Sequence, residues 1–169
     1  MGRWLAAVAI LVLLGSVAQA QERTEVTVRV IAASTAERGF DPSLSDIQGK
    51  LGALFAYSSY RLIGQQSFAL SFGETGSMPL PAGRQARGPG KESPGFRERF
   101  APAAPVGRTL EVIPVSKRGD LVELQVRMEE GGRVLLNTQF RIASGGTILI
   151  GGPHFGPGVL IVALSAAAR

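Results

Sequence analysis

The chain has 169 residues, 45% hydrophobic and 18% charged, enough for one domain of ordinary size with a real core. It contains no cysteine and a single histidine, which excludes disulfide staples, thiol catalysis and thiolate metal sites. The formal net charge is +5, and the excess is concentrated in one stretch rather than spread along the chain.

Residues 1–20 have the layout of a secretory signal peptide: Arg3, an apolar run from Trp4 to Leu14, then Ala18-Gln19-Ala20 before Gln21. The run is shorter than the roughly 20 residues a bilayer span needs, so cleavage is expected, with an uncleaved anchor as the minority reading. No Cys follows the run to take a lipid. Export without disulfides points to a periplasmic or secreted protein of a bacterial envelope, with no transmembrane span once the signal is removed. Cleavage takes away Arg3 from the 18 Lys and Arg, leaving 17 against 13 Asp and Glu, a net of +4.

Glu25 to Ala33 alternates Val26, Val28, Val30 and Ala32 with Glu25, Thr27, Arg29 and Ile31, a half-buried strand in which Ile31 alone breaks the pattern. Asp41-Pro42 then reads as a helix start, Asp as N-cap and Pro at the first helical position, with Ser43-Leu44-Ser45-Asp46 as an alternative cap. Leu44, Ile47, Leu51 and Leu54 fall on one helical face. Gly49 and Gly52 each cost about 1 kcal/mol relative to Ala, so this helix depends on docking, and the glycines are expected to allow close approach to a sheet. Ser58 to Phe72 carries Tyr60, Leu62, Phe68, Leu70 and Phe72 on one parity, interrupted at Gly64-Gln65-Gln66, which implies two strands or one bent strand. Its aromatics are expected in the core; a stacking surface for sugars or bases is the functional alternative. Met78-Pro79-Leu80-Pro81 is expected to leave the sheet in extended form.

Residues 82–107 are rich in Gly, Pro, Ala and Arg and lack apolar periodicity, the composition of a flexible insert. From 82 to 108, Arg84, Arg87, Lys91, Arg97, Arg99 and Arg108 stand against Glu92 and Glu98, a net of +4. Joining Arg84 directly to Thr109 would make an ordinary short connection. The residues suited to holding a partner are Arg84, Arg87, Lys91, Phe96, Arg97, Arg99 and Phe100, because cations flanked by aromatics suit an acidic envelope protein or an anionic lipid or wall surface. A solvated loop is the bland alternative, and no nucleic acid is expected for an exported chain.

Thr109 to Ile142 reads as a three-stranded meander. Facing apolar rows are matched by three-residue turns ending in Gly, Lys117-Arg118-Gly119 and Glu130-Gly131-Gly132. The first turn pairs Val112 with Leu124 and Leu110 with Val126; the second pairs Met128 with Val134 and Val126 with Leu136. Pro114 favours a free side on its strand. After the Gly145-Gly146 turn, Thr147 to Ile150 and Val159 to Leu164 are apolar on both faces, which places the last strand at the centre of the fold. Gly151 to Gly158 is the connection between them, and His154 a partly exposed turn residue. Thr138 to Pro153, strand, Gly-Gly, apolar strand, Gly-Gly, resembles the strand-Gly-strand repeats in the C-terminal domain of outer-membrane secretins. The long lipid-facing strands of a pore are missing, so the resemblance brings no site residue or activity with it.

The spacing offers no catalytic set, metal site or cofactor-binding pattern. The fold expected is α+β: an antiparallel sheet of about six to eight strands, curled or two-layered, with one helix on a face. The function expected is a non-enzymatic interaction module, an accessory of an envelope or secretion assembly, that binds through a sheet edge or the basic loop. The alternatives are a small enzyme acting on wall or polysaccharide through carboxylates such as Asp41 and Asp46, and a carrier with an apolar cavity between helix and sheet.

Overall fold

The computed structural model describes residues 23–81 and 107–168. They form nine strands and one α-helix: β1 (Arg23–Ser34), β2 (Gly39–Phe40), a 3-10 turn (Pro42–Ile47) running into α1 (Gln48–Leu54), β3 (Ser59–Ser71), β4 (Gly76–Leu80), β5 (Arg108–Arg118), β6 (Leu121–Glu130), β7 (Arg133–Ala143), β8 (Thr147–Phe155) and β9 (Gly158–Ala168). Two sheets result, β2-β3-β1-β9-β8 and β4-β5-β6-β7, antiparallel except for the two-residue β2. This is the two-layered form of the expected α+β fold. The strands not expected are β2 and β4; the Met78-Pro79-Leu80 segment does not leave the sheet but forms its edge, where Pro79 removes no donor that an outer neighbour needs.

One apolar core fills the space between the sheets. Val26, Val28 and Val30 of β1 and Leu160, Val162 and Leu164 of β9 face Leu110 and Val112 of β5 and Val122, Leu124, Val126 and Met128 of β6. The outer face of the five-stranded sheet has its own smaller core, in which Ile31, Ala33, Ile161 and Ala163 receive Leu44, Ile47, Leu51 and Tyr60. Ile31 thus breaks the alternation of β1 because at that point both faces of the strand are covered. β9 is buried on both faces for the same reason and lies between β1 and β8, as its apolar composition requires.

The helix is shorter than a freely stable one and is held by what it touches. Asp41 caps the 3-10 turn by accepting from Ser43 N at 3.0 Å, and Pro42 occupies the first position. Arg29 on β1 donates both terminal nitrogens to Asp46 at 2.7 Å each. Tyr60 Oη donates to Phe55 O at 2.7 Å, and Lys50 Nζ to Thr147 O at 3.2 Å. Two expectations are corrected here. Leu54 is 64% exposed, because α1 ends there and the chain turns back toward β3. A side chain built at Gly49 or Gly52 would meet nothing within 4 Å, so these glycines face solvent and do not serve a close approach.

The hairpin registers also differ from the expectation, by two residues in each case. Both turns are two-residue: Arg118 pairs with Leu121 around Gly119-Asp120, and Glu130 with Arg133 around Gly131-Gly132. Gly131 and Gly132 both have positive φ, 58° and 80°, as a type I′ turn requires, whereas Gly119 alone is positive (59°), as in type II′. Such turns would mix the faces if the strands ran regularly. Each partner strand therefore carries a bulge, at Val115 in β5 and Leu135 in β7, which restores the parity. Val112 consequently pairs with Val126, Met128 with Leu136, and Val126 with Thr138. The β4 ladder stops at Val112, so at Pro114 that side of β5 carries no strand.

β3 is one bent strand. A bulge at Ile63 reverses its parity, sending Tyr60 and Leu62 toward the helix and Phe68 and Leu70 into the main core. Phe72 lies beyond its end, 37% exposed. The expected Gly-rich connection after Ile150 is mostly strand as well: β8 continues through His154 and Phe155 after an irregularity at Gly152-Pro153, and only Gly156-Pro157 turns. Among the described residues no helix is long and apolar enough to cross a membrane.

Candidate functional site

Arg84, Arg87, Lys91, Phe96, Arg97, Arg99 and Phe100 lie outside the described residues, as does the signal segment. The two ends of the basic insert are placed, however. Leu80 and Arg108 are direct partners across the β4–β5 ladder, so the insert leaves and returns at one rung. Arg108 is nearly buried there: Nε donates to Glu130 Oε1 at 2.5 Å and Nη1 to the His154 carbonyl at 3.2 Å, linking β5 and β6 to β8 of the opposite sheet. Gly107 O accepts from Gly131 N at 3.3 Å, which sets the returning chain beside the β6–β7 turn.

The same end of the sandwich has an open flank. Among the described residues β7 pairs as a strand only with β6 and β8 only with β9, so two outer strands of opposite sheets run along one side. Between them lies an apolar groove of about 300 Å³, lined by Met128, Leu135, Leu136, Gly151, Gly152 and Pro153. The bulge residue Leu135 and its neighbour Leu136 both line it from β7. Val134 and Leu135 are 44% and 38% exposed, two adjacent large apolar residues, whereas Leu54, Phe72, Val115 and Leu121 are exposed singly.

The exposed strand edges are not equivalent. β4 is five residues long and contains Pro79. β8 is broken by Gly151-Gly152-Pro153, devices that blunt an edge. β3 presents Gln65, Gln66 and Ser67 along the part that β2 leaves unpaired. β7 is regular from Leu136 to Ala143, flanked by apolar surface, and has no outer neighbour among the described residues.

The carboxylates considered for catalysis are already engaged. Asp41 accepts from Ser43 Oγ, Ser43 N and Leu62 N, and these bonds hold its pKa below the ordinary carboxylate value. Arg29 does the same for Asp46. A general acid needs the opposite shift. His154 is exposed near the end of β8, opposite Val159. Among the described residues no group of three or more His, Asp or Glu is placed to hold a metal ion.

The groove escaped sequence reasoning because its walls come from two separated segments that meet only when the sheets stack. The one signal available was local: Val134-Leu135-Leu136 is an unbroken apolar run inside an alternating strand, which is how a bulge looks in sequence. Comparison of the chain with models of known families, with curated proteins and with solved structures gives no match.

Proposed function

We propose that this protein is an exported, non-enzymatic interaction module of the bacterial envelope, an accessory of an envelope or secretion assembly, that takes an extended segment of a partner protein as an added strand on β7. The observation that carries the reading is the coincidence of a regular strand edge, unpaired among the described residues, with an apolar groove beside it. Strand addition draws affinity from main-chain hydrogen bonds and selectivity from side-chain pockets, and β7 offers both within a few residues. The alternatives lack comparable support. Asp41 and Asp46, on which a wall-acting enzyme would rely, serve as a cap and an ion pair, and the helix–sheet space that a carrier would hollow out is occupied by Leu44, Ile47, Leu51 and Tyr60.

Site-specific photocrosslinking in the native envelope tests this reading. A photoreactive residue at Asn137 or Gln139 on β7 is expected to give discrete protein adducts, whereas the same residue at Gln66 on β3 or Ser77 on β4 gives none. Adducts of equal yield from all three edges, or none from β7, would refute it.

A further inference from the structure

Resting on the reading of β7 and its groove as the binding site, we infer that Arg108 is the positioning residue that sets the spacing of the groove's two walls and so selects the size of the apolar side chain admitted. Among the described residues Arg108 is the one buried charged residue. The β5–β6 ladder places it at the end of an inward-facing row, in which Val112 pairs with Val126, Leu110 with Met128 and Arg108 with Glu130. The first two rungs belong to the main core; the third is an ion pair. Met128 lines the groove, so the ion pair lies one rung beyond it.

The opposite wall is poorly fixed by its own sheet. The β8–β9 register is interrupted between Gly151 and His154, so Gly152 and Pro153, both lining the groove, have no rung of their own, and Pro153 has no N–H to donate. Arg108 reaches this wall from the other sheet: Nη1 donates to the His154 carbonyl at 3.2 Å, while Nε donates to Glu130 Oε1 at 2.5 Å. A planar guanidinium engaged on two strands at once fixes their separation, which a Lys ammonium on a flexible stem does not. Stability alone does not require charge at this rung, because apolar side chains of similar volume often stabilise as well as a buried ion pair. An apolar pair would extend the core and leave the His154 carbonyl, with the wall it belongs to, unheld.

The test compares the mature chain with an Arg108→Met/Glu130→Met variant, which removes the bridge without leaving either charge unpaired. Each is titrated, by amide NMR, with short peptides of alternating Val and Thr whose central residue is Ala, Leu or Trp. The wild type is expected to bind them on β7 and to prefer Leu over the other two by about tenfold, as a pocket of fixed size does. The double variant should keep its Tm within a few degrees and bind the Leu and Trp peptides about equally. Lost stability alone would weaken all three peptides together and leave their ratios unchanged. Spin labels on cysteines placed at Asn137 and His154, in a chain with no other cysteine, read the wall spacing without a peptide: one narrow distance in the wild type, a broadened one in the variant. Arg108→Lys, which keeps the charge and gives up the fork, should shift both readouts in the same direction and serves if the double variant does not fold. An unchanged peptide preference with an unchanged distance would overturn the role of Arg108 and leave the edge reading standing. Wild type that binds none of the peptides on β7 would overturn the edge reading and the size selection with it, and the label distance alone would then decide whether Arg108 spaces the walls.

Discussion

Gly158 opens β9 where that strand first meets β1, and a single methyl there should be poorly tolerated. A Cβ at this position would lie 1.8 Å from the Ala33 carbonyl oxygen and 2.8 Å from its carbon, both backbone atoms of β1. A carbon and a carbonyl oxygen ordinarily approach no closer than about 3.3 Å, so the strands must separate by about 1.5 Å at that rung. Separation gives up the Ser34–Gly158 rung and strains Ala33–Val159. One or two backbone hydrogen bonds at about 1 kcal/mol net, plus overpacking of about 1–3 kcal/mol, give a cost of about 2–5 kcal/mol for Gly158→Ala. For a chain of this size that lowers Tm by about 5–15 °C. Gly156→Ala is the control, since φ there is +57° and the added methyl would meet nothing. Its cost is conformational only, about 1–2 kcal/mol. Urea unfolding followed by circular dichroism, with hydrogen exchange at Ser34 and Val159, separates the two. A Gly158→Ala protein as stable as the Gly156→Ala protein, with those amides still protected, would show that β1 and β9 do not approach as described.

Replacing residues 81–107 by Asn-Gly, a two-residue hairpin turn between Leu80 and Arg108, should leave the sandwich folded with Tm changed by only a few degrees, because those two residues already face each other; scanning calorimetry checks this. Leu51→Ala should cost about 2–5 kcal/mol in urea unfolding because Leu51 is fully buried against the outer core, whereas exposed Leu54→Ala should stay within about 0.5 kcal/mol. Asp46 has its pKa depressed by Arg29, so its contribution is complete above the unfolded value of about 3.9 and is lost as pH falls through the lower folded value. Stability measured across acid pH should therefore fall more steeply for the wild type than for Asp46→Asn.

The parities along the strands were legible from the residues, because burial on one face enforces alternation. The turn lengths were not. Val115 and Leu135 are apolar residues in bulges, and a bulge lets a two-residue turn and a three-residue turn satisfy the same facing pattern. Gly151 to Phe155 and Met78 to Leu80 read as connections because of their glycines and prolines, yet each forms part of an outer strand, where a missing donor or side chain costs little. The helix start was explicit in Asp41-Pro42, but Leu54 fitted the apolar stripe without being covered, since periodicity does not say where the neighbouring sheet ends. Of the candidate site, composition gave only the basic insert. The groove depends on Met128 and Pro153 meeting across two sheets, a fact of topology rather than of local sequence.

The first strand described and the last are neighbours along eleven residue pairs, from Thr24 with Ala168 to Ser34 with Gly158. Until β9 is available, the larger layer exists only as two unjoined fragments, β2-β3-β1 on one side and β8 on the other. Closing a loop of this span is slow, in the range of milliseconds to seconds for sheet proteins dominated by distant pairings. A polypeptide whose larger layer lacks an interior strand until β9 pairs stays pliable up to that step, and the sheet zips shut along β1 last.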